Sequence, residues 1–497
     1  MDSLGTVNES LGSLEGWLWN YIGMPVVVAA ALYFTIRTGA MQVRMVPAMF
    51  SAIAERAQRD GSDRATSLSA FQAFIVAAAA RVGTGNVAGV AGAIFLGGPG
   101  AVVWMWIMAL FTSAASFIES TLAQLYKSRG HDTYKGGPAF YVHRGLRSRK
   151  FGIAFAVLFI FCFALSFSSL QANTIVDAVT GAIEPYSDPE GLPWLPWVLG
   201  LVLAGMTATI VLGGMWRVAR VAQNLVPVMA TIYLVVGLVV VGTNLEEVPR
   251  VFEQMVSGAF DPQAVVGGGL GAAIVQGVQR GMFSNEAGMG SVPNVAATAS
   301  VSHPAKQGLV QTLGVFFDTW LICSVTAFIV LIGFPDVTEG GEGLAMVQDS
   351  LVANLGSWAV VALGVIVFLL AFTSVLGNFS YGEANVYYIT QNHVARLVFG
   401  LAVTVVVFIG SVLSVDLAWT LAGLTMVVIA MANLVVITVL APTALRLLRH
   451  YDEQRREGLD PVFLASDMPD LEYVECWNEA DVSDSLARRE EQRASRP

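Results

Sequence analysis

The chain has 497 residues, of which 55% are hydrophobic and only 13% charged, at a mean hydropathy of +0.64. A soluble domain carries about 25% charged residues, so composition excludes a water-soluble module and points to an all-α polytopic membrane protein. Three scattered cysteines (Cys162, Cys323 and Cys476) give neither a disulfide framework nor metal-ligand spacing, and the isolation of all five histidines argues against a metal centre.

Residues 1–16 carry no lysine or arginine, unlike a cleaved signal peptide. Apolar runs of about 20 residues then predict eleven spans, near 17–36, 66–97, 100–126, 151–182, 194–213, 221–243, 264–299, 307–334, 355–390, 395–412 and 415–445. Three of them (66–97, 264–299 and 355–390) exceed what a crossing needs, which fits broken or strongly tilted helices.

Of the 27 lysines and arginines, 24 fall in the segments 37–65, 127–150, 214–220, 300–306, 391–396 and 446–497. Arg250 stands alone in the alternate segments, and Arg81 and Arg280 lie within spans. The alternate segments instead carry acids: Glu184, Asp188, Glu190, Glu246, Glu247, Glu253, Asp336, Glu339, Glu342 and Asp349. The positive-inside rule then predicts an outer N-terminus and a cytoplasmic C-terminus in the plasma membrane.

Eleven spans divide as one plus five plus five. Span 2 runs inside to outside and span 7 outside to inside, so the two sets of five have the opposite topology of an inverted repeat. The predicted organisation is an outer terminus (1–16), an extra N-terminal span with its loop (17–65), a first repeat (66–243), an outer loop (244–263), a second repeat (264–445) and an acidic cytoplasmic tail (446–497). The tail reads as a short amphipathic exit helix followed by flexible chain.

Each half opens on a span interrupted at mid-membrane depth. The first reads Arg81-Val82-Gly83-Thr84-Gly85-Asn86, the second Arg280-Gly281-Met282-Phe283-Ser284-Asn285-Glu286. Unpaired backbone groups in hydrocarbon cost several kcal/mol each, so breaks persist only where they line a cavity, and paired breaks mark a transporter's binding site. Close helix packing by small residues is the plainer reading of Gly83, Gly85 and Gly89. A dinucleotide loop fails on context, because no strand precedes it and no acid follows about 20 residues on. An unwound site offers N–H groups and a positive helix end to a carboxylate, and free carbonyls to Na⁺.

Ser284 and Asn285 either bind a substrate ammonium or hold the second break open. Glu286 pairs with Arg81 or Arg280, or touches substrate; the structural reading is preferred for both arginines. Thr373-Ser374 in span 9 precede Gly377-Asn378. Such hydroxyls usually bond back to a carbonyl one turn earlier, yet with carbonyls freed at the first break they can complete the five or six oxygens that Na⁺ wants. Glu383 neutralises a neighbour. Gln171 and Asn173 face protein or cavity within an apolar span. Phe167 and Trp419 either wall a small pocket or pack against lipid. Glu119, Asp177 and Asp318 are intramembrane or near-interface acids with no role that sequence alone assigns; a proton path through them, with H⁺ in place of Na⁺ as the coupling ion, is the alternative reading.

At these residues the chain resembles the alanine or glycine:cation symporter family, the sodium:alanine symporters. The stretches that carry the resemblance are 80–91, Gly136-Gly137-Pro138-Ala139-Phe140-Tyr141, 283–291 and 377–385, spread over most of residues 20–440. The resemblance implies a leucine-transporter-type fold with spans 2–11 as its core, and co-transport of a small neutral amino acid (alanine, glycine or serine) with Na⁺. It assigns substrate contacts to Thr84, Gly85, Asn86, Gln171, Phe283, Ser284 and Asn285, with Trp419 as a wall. It assigns the Na⁺ shell to the carbonyls of Ala79 and Val82 and the hydroxyls of Thr373 and Ser374. The implied partners are the amino acid and the lipid bilayer, with no nucleic acid.

A channel would need a continuous polar pore, whereas most spans are apolar all round. An intramembrane enzyme would need a Ser-His pair, a His-Glu-x-x-His run or paired carboxylates, none of which the sequence shows. A sensor would need a large domain outside the membrane.

Overall fold

A computed structural model describes residues 2–58, 67–130, 133–183, 192–260 and 269–494. The predicted starts of spans 2 and 7, the end of the 244–263 loop, and the acids Glu184, Asp188 and Glu190 lie outside the described residues. The described chain is helical throughout apart from a two-residue hairpin pairing Ser128–Arg129 with Tyr134–Lys135.

Among the described residues, eight continuous helices are long and apolar enough to cross a bilayer, and the bent pair Ala70–Arg81 plus Gly85–Gly97 makes a ninth. Predicted span 5 is the shorter apolar helix Leu195–Val211, and span 7 is Gly269–Asn285 followed by irregular chain and a short helix, Pro293–Ala296. Each predicted span therefore has a helical counterpart, although length and composition select nine rather than eleven. Leu201, Leu238, Val405 and Val439 are exposed large apolar residues, as lipid-facing side chains are.

Predicted span 9, whose length fits either a broken or a strongly tilted helix, is one unbroken helix, Trp358–Ile389. Its Gly377 is a packing residue: a Cβ there would strike the backbone of Ala80, so glycine lets this helix pass directly against the end of Ala70–Arg81. Contrary to expectation, the tail is not loose chain. Its exit helix continues the last span as Val415–Arg456, and the chain beyond that helix folds back with Val462, Phe463, Cys476, Trp477 and Val482 buried.

The docked tail covers one end of the bundle. Phe463 N–H donates to Ser302 O at 2.9 Å and Trp477 Nε1 to Gln124 O at 3.1 Å. Arg129 pairs with Asp481, Arg144 with Glu475 and Lys306 with Asp460. Lys127 is enclosed there, its Nζ 4.1 Å over the Tyr134 ring and 4.5 Å over the Trp477 ring while it donates to Ala299 O at 3.0 Å. Beneath it the segments flanking the two breaks join: Leu68 bridges to Ala299, and Ser300 N–H donates to Leu68 O at 2.8 Å. His303 and His450, far apart in sequence, meet at 3.1 Å beside Phe463.

Candidate substrate and cation site

Helix Ala70–Arg81 starts on a reciprocal cap: Ser69 Oγ accepts from Gln72 N–H at 3.2 Å, and Gln72 Oε1 from Ser69 N–H at 3.0 Å. It ends where Val82 leaves helical geometry at φ −80°, ψ 87°, and the chain resumes as a helix at Gly85 after a 59° bend. The break is held by its own side chains and neighbours. Gly83 N–H donates to Asn86 Oδ1 at 3.0 Å, and Thr84 N–H to Gln171 Oε1 at 3.2 Å. A Cβ at Gly83 would collide with Ser374 Oγ and crowd the Gln171 amide, so glycine admits both partners. Thr84 Oγ1 is buried without a hydrogen-bond partner, and an orphaned hydroxyl at an unwound point is available to a ligand.

Three of the four oxygens that the resemblance assigns to Na⁺ lie together, and the Thr373 hydroxyl is shown against neither Ala79 O nor Val82 O. Ser374 Oγ lies 3.1 Å from Ala79 O, 3.4 Å from Val82 O and 3.0 Å from Leu370 O. Thr373 Oγ1 also reaches Leu370 O, at 3.0 Å, with its other side 3.2 Å from Met229 Sδ. Leu370 O, inside the unbroken helix Trp358–Ile389, thus lies beside both hydroxyls, a contact that sequence reasoning did not single out; a backbone carbonyl carries no residue-type signal. The hydroxyls do bond back to the preceding turn, as the plainer reading held, but Ser374 at the same time touches the carbonyls freed at the break.

The second break follows Asn285. Glu286, Gly288 and Gly290 all take positive φ (55°, 85° and 80°), so the chain turns through left-handed conformations. Glu119 gathers the freed donors: Oε1 accepts from Gly288 N–H at 3.1 Å and Oε2 from Gly290 N–H at 2.9 Å, with Asn433 Nδ2 at 2.8 Å. Asn285 holds the break open, donating to Thr319 Oγ1 and accepting from Ala287 N–H, both at 3.0 Å. That engages both ends of its amide.

Asp318 joins the two breaks. Its Oδ1 accepts from Asn86 Nδ2 at 2.7 Å and its Oδ2 from Ser284 Oγ at 2.5 Å. It lies on a π-helical turn, Phe317–Cys323, while Asn86 and Phe167 sit on two others, Gly85–Gly89 and Ile160–Phe167. Such turns recur at functional sites because the extra residue re-aims side chains. Sequence showed Asp318 only as an intramembrane acid, and its carboxylate has no cationic side chain within ion-pair distance among the described residues.

The anticipated Glu286–arginine pair is not formed. Glu286 accepts from Tyr381 OH at 3.1 Å, whereas Arg81 donates to Gln311 O and Ser116 Oγ, both at 3.3 Å. Each thus has other partners, so neither needs the other in contact. Arg280 instead lies 4.5 Å over the Trp419 ring. Asn173 donates to Gly410 O and Leu413 O and so is a packing residue. Glu383 neutralises Lys135 at 2.6 Å, with both side chains buried.

An aromatic wall completes the site. Phe167 stacks on Phe283 at 4.9 Å, and Phe283 meets Trp419 at 5.2 Å. Above Phe283 and Trp419, at the end of the bundle away from the tail, a cavity of about 520 Å³ opens.

The chain has counterparts among known proteins. The family profile described as "Sodium:alanine symporter family" matches residues 4–465. The amino-acid carrier protein AlsT of Bacillus subtilis (strain 168) is 45% identical over 472 residues, 95% of this chain and 98% of its own. The probable sodium/glutamine symporter GlnT of the same strain is 41% identical over 472 residues, 95% and 96% of the two chains. The crystal structure of MhsT in complex with L-phenylalanine, a leucine-transporter-type fold, matches with a TM-score of 0.55 at 14% identity, across 79% of this chain and 99% of that one. This last likeness concerns the fold alone.

Proposed function

The chain belongs to the sodium:alanine symporter family, and on that premise we propose that it couples inward Na⁺ movement to uptake of a small neutral amino acid by alternating access. As a member of a carrier family it is a transporter and not an enzyme.

One observation carries the Na⁺ reading. Ser374 Oγ lies against the carbonyls of Ala79, Val82 and Leu370 at the point where the first break begins. The two carbonyls freed at the break and the Ser374 hydroxyl, with Leu370 O and the Thr373 hydroxyl on the adjoining helix turn, supply neutral oxygens of the kind that unwound membrane helices offer to Na⁺. The amino acid then sits on the other side of the same break. Its carboxylate faces Thr84 Oγ1 and the amino-terminal end of the helix resumed at Gly85, where a negative charge is favoured. Asp318 supplies fixed negative charge for the ammonium group, and Gln171, Phe283 and Ser284 enclose the remainder.

The orientation follows from the basic loops: the tail-bearing end is cytoplasmic and the N-terminus outside, in a plasma membrane crossed eleven times by two inverted sets of five spans and one added. The Leu68–Ala299 bridge and the docked tail then close the inner side, while the 520 Å³ cavity opens outward. That arrangement supports an outward-facing state in the alternating-access cycle.

Small substrates are expected because three aromatic rings (Phe167, Phe283 and Trp419) close over the glycine-rich break. One methylene alters selectivity by about 1–3 kcal/mol in a hydrophobic pocket. Unlabelled alanine, glycine and serine should each inhibit labelled alanine uptake into proteoliposomes, and leucine only weakly. Glutamine is the sharpest comparator, given the relative named for it. Glutamine inhibiting more strongly than alanine contradicts the small-substrate reading.

A further inference from the structure

The outward cavity holds charges that the fold does not explain. Its base is Arg280, and its acids are Glu15, Asp177, Glu342 and Asp416. Its volume falls in the range of about 300–1,000 Å³ typical of small-molecule sites. Glu15 comes from the Asp2–Leu18 helix, which precedes both predicted repeats.

Glu15 and Arg280 line the same cavity but form no ion pair within 4.0 Å. Each is held by something else. Gln279 Nε2 donates to Glu15 Oε1 at 3.0 Å, and the Arg280 guanidinium rests over Trp419. Arg280 Nε is buried with no hydrogen-bond partner. The Glu15 carboxylate occupies space that Gly423 leaves free, since a Cβ there would strike it. A purely structural pair of opposite charges gains most in contact, because attraction grows as separation falls. Here the charges stay apart on the wall of one cavity. An α-amino acid carries a carboxylate and an ammonium group on the same carbon and is built to sit between two such charges.

We propose that this cavity is an outer recognition site for the α-amino acid zwitterion, with Arg280 receiving its carboxylate and Glu15 its ammonium group before passage beyond Phe283 and Trp419. The inference rests on the reading that the chain carries a neutral amino acid from this side. The site requires both ends of the zwitterion at once. Its surplus of acids disfavours a second carboxylate, so dicarboxylic amino acids are turned away at this stage, while Na⁺ is admitted.

The test uses full-length protein in proteoliposomes under an inward Na⁺ gradient. Labelled alanine uptake is measured in competition with lactate, which lacks the ammonium group, and with alaninamide, which lacks the carboxylate. Glu15→Gln is expected to raise the apparent KM for alanine about tenfold with Vmax within about twofold, the scale of one charge-assisted hydrogen bond. It should also shift the ratio of inhibition by lactate to inhibition by alaninamide toward lactate, because lactate no longer leaves an unpaired carboxylate. Arg280→Gln should shift that ratio toward alaninamide. Glu15→Asp should restore the wild-type ratio in part. Gly423→Ala, which displaces the Glu15 carboxylate without altering its charge, should move the ratio in the same direction as Glu15→Gln and decides the matter if that variant does not fold. Wild-type uptake with the ratio unchanged in every folded variant overturns this site alone. Wild-type protein that takes up no neutral amino acid overturns the functional reading and this site with it.

Discussion

Asn86 donates to Asp318 at 2.7 Å, and this bond ties the first broken helix to a span that the same carboxylate links, through Ser284, to the second. A single buried acid therefore registers the position of both breaks. Asp318→Asn keeps the side-chain shape and removes the charge. The variant is expected to fold, since the Ser284 hydroxyl can rotate to suit an amide. Its Na⁺-stimulated alanine uptake should fall by about 5–150-fold, the usual span of coupling between linked sites. Initial rates across a Na⁺ series measure this, and wild-type Na⁺ stimulation in the variant removes Asp318 from the site.

The proposed cation site makes unequal demands on its two hydroxyls. Ser374 touches three carbonyls, two of them at the break, whereas Thr373 reaches only Leu370 O and a thioether. Ser374→Ala should raise the Na⁺ concentration for half-maximal uptake about tenfold, equivalent to about 1.4 kcal/mol. Thr373→Ala should raise it less, and Thr373→Ser least. An unchanged Na⁺ dependence in both alanine variants returns these hydroxyls to simple helix back-bonding.

The tail junction should respond to acid. His303 lies in the loop before Pro304 with its Nδ1 accepting from Ala305 N–H at 3.1 Å. Burial, with His450 and Lys306 adding to it, holds its imidazole well below the ordinary range. The folded junction then binds fewer protons than the released one below about pH 6.5, so stability rises with pH through that window and is lost on acidification, by up to about 1.4 kcal/mol per pH unit. Nearby Asp467, 3.7 Å from His450, and Asp460 and Glu55 on Lys306 oppose the effect without removing the burial. Protease cleavage near Arg455 and Arg456 should accelerate between pH 6.5 and 5, and His303→Gln should flatten that dependence. Cleavage that slows on acidification contradicts it.

The proposed orientation rests on the basic loops, and all three native cysteines are buried, so labelling background is low. Asp336→Cys should react with an impermeant maleimide added outside intact cells, and Arg147→Cys only after permeabilisation. The opposite pattern at either position inverts the proposed topology.

How much of the fold and site was legible in the sequence depended on how local each signal was. The Gly83–Asn86 break was legible because glycines and a polar amide interrupt an apolar run within a few residues. Gly377–Asn378 has much the same composition, yet its helix runs straight through; the difference lies in Ala80, distant in sequence, against which Gly377 packs. Asp318 was visible as a costly buried acid, but its partners lie 232 and 34 residues away and no spacing announces them. The tail read as flexible because its apolar residues are sparse. Phe463 and Trp477 dock through pairings with Ser302, Gln124 and Lys127 that only the folded face brings together. Opposite charge suggested a Glu286–arginine bond, but Tyr381 satisfies Glu286 while Arg81 donates to Gln311 O and Ser116 Oγ, partners that no spacing announces.

The central claim is Na⁺-coupled uptake through the site between the two breaks. The most direct measurement is uptake of labelled alanine into proteoliposomes under an imposed Na⁺ gradient, an imposed proton gradient, or neither, for the wild type and Ser374→Ala. The account predicts concentrative uptake with the Na⁺ gradient alone, and a right-shifted Na⁺ dependence in the variant. Concentrative uptake driven by the proton gradient in the absence of Na⁺, or uptake that never exceeds equilibration under any gradient, contradicts it.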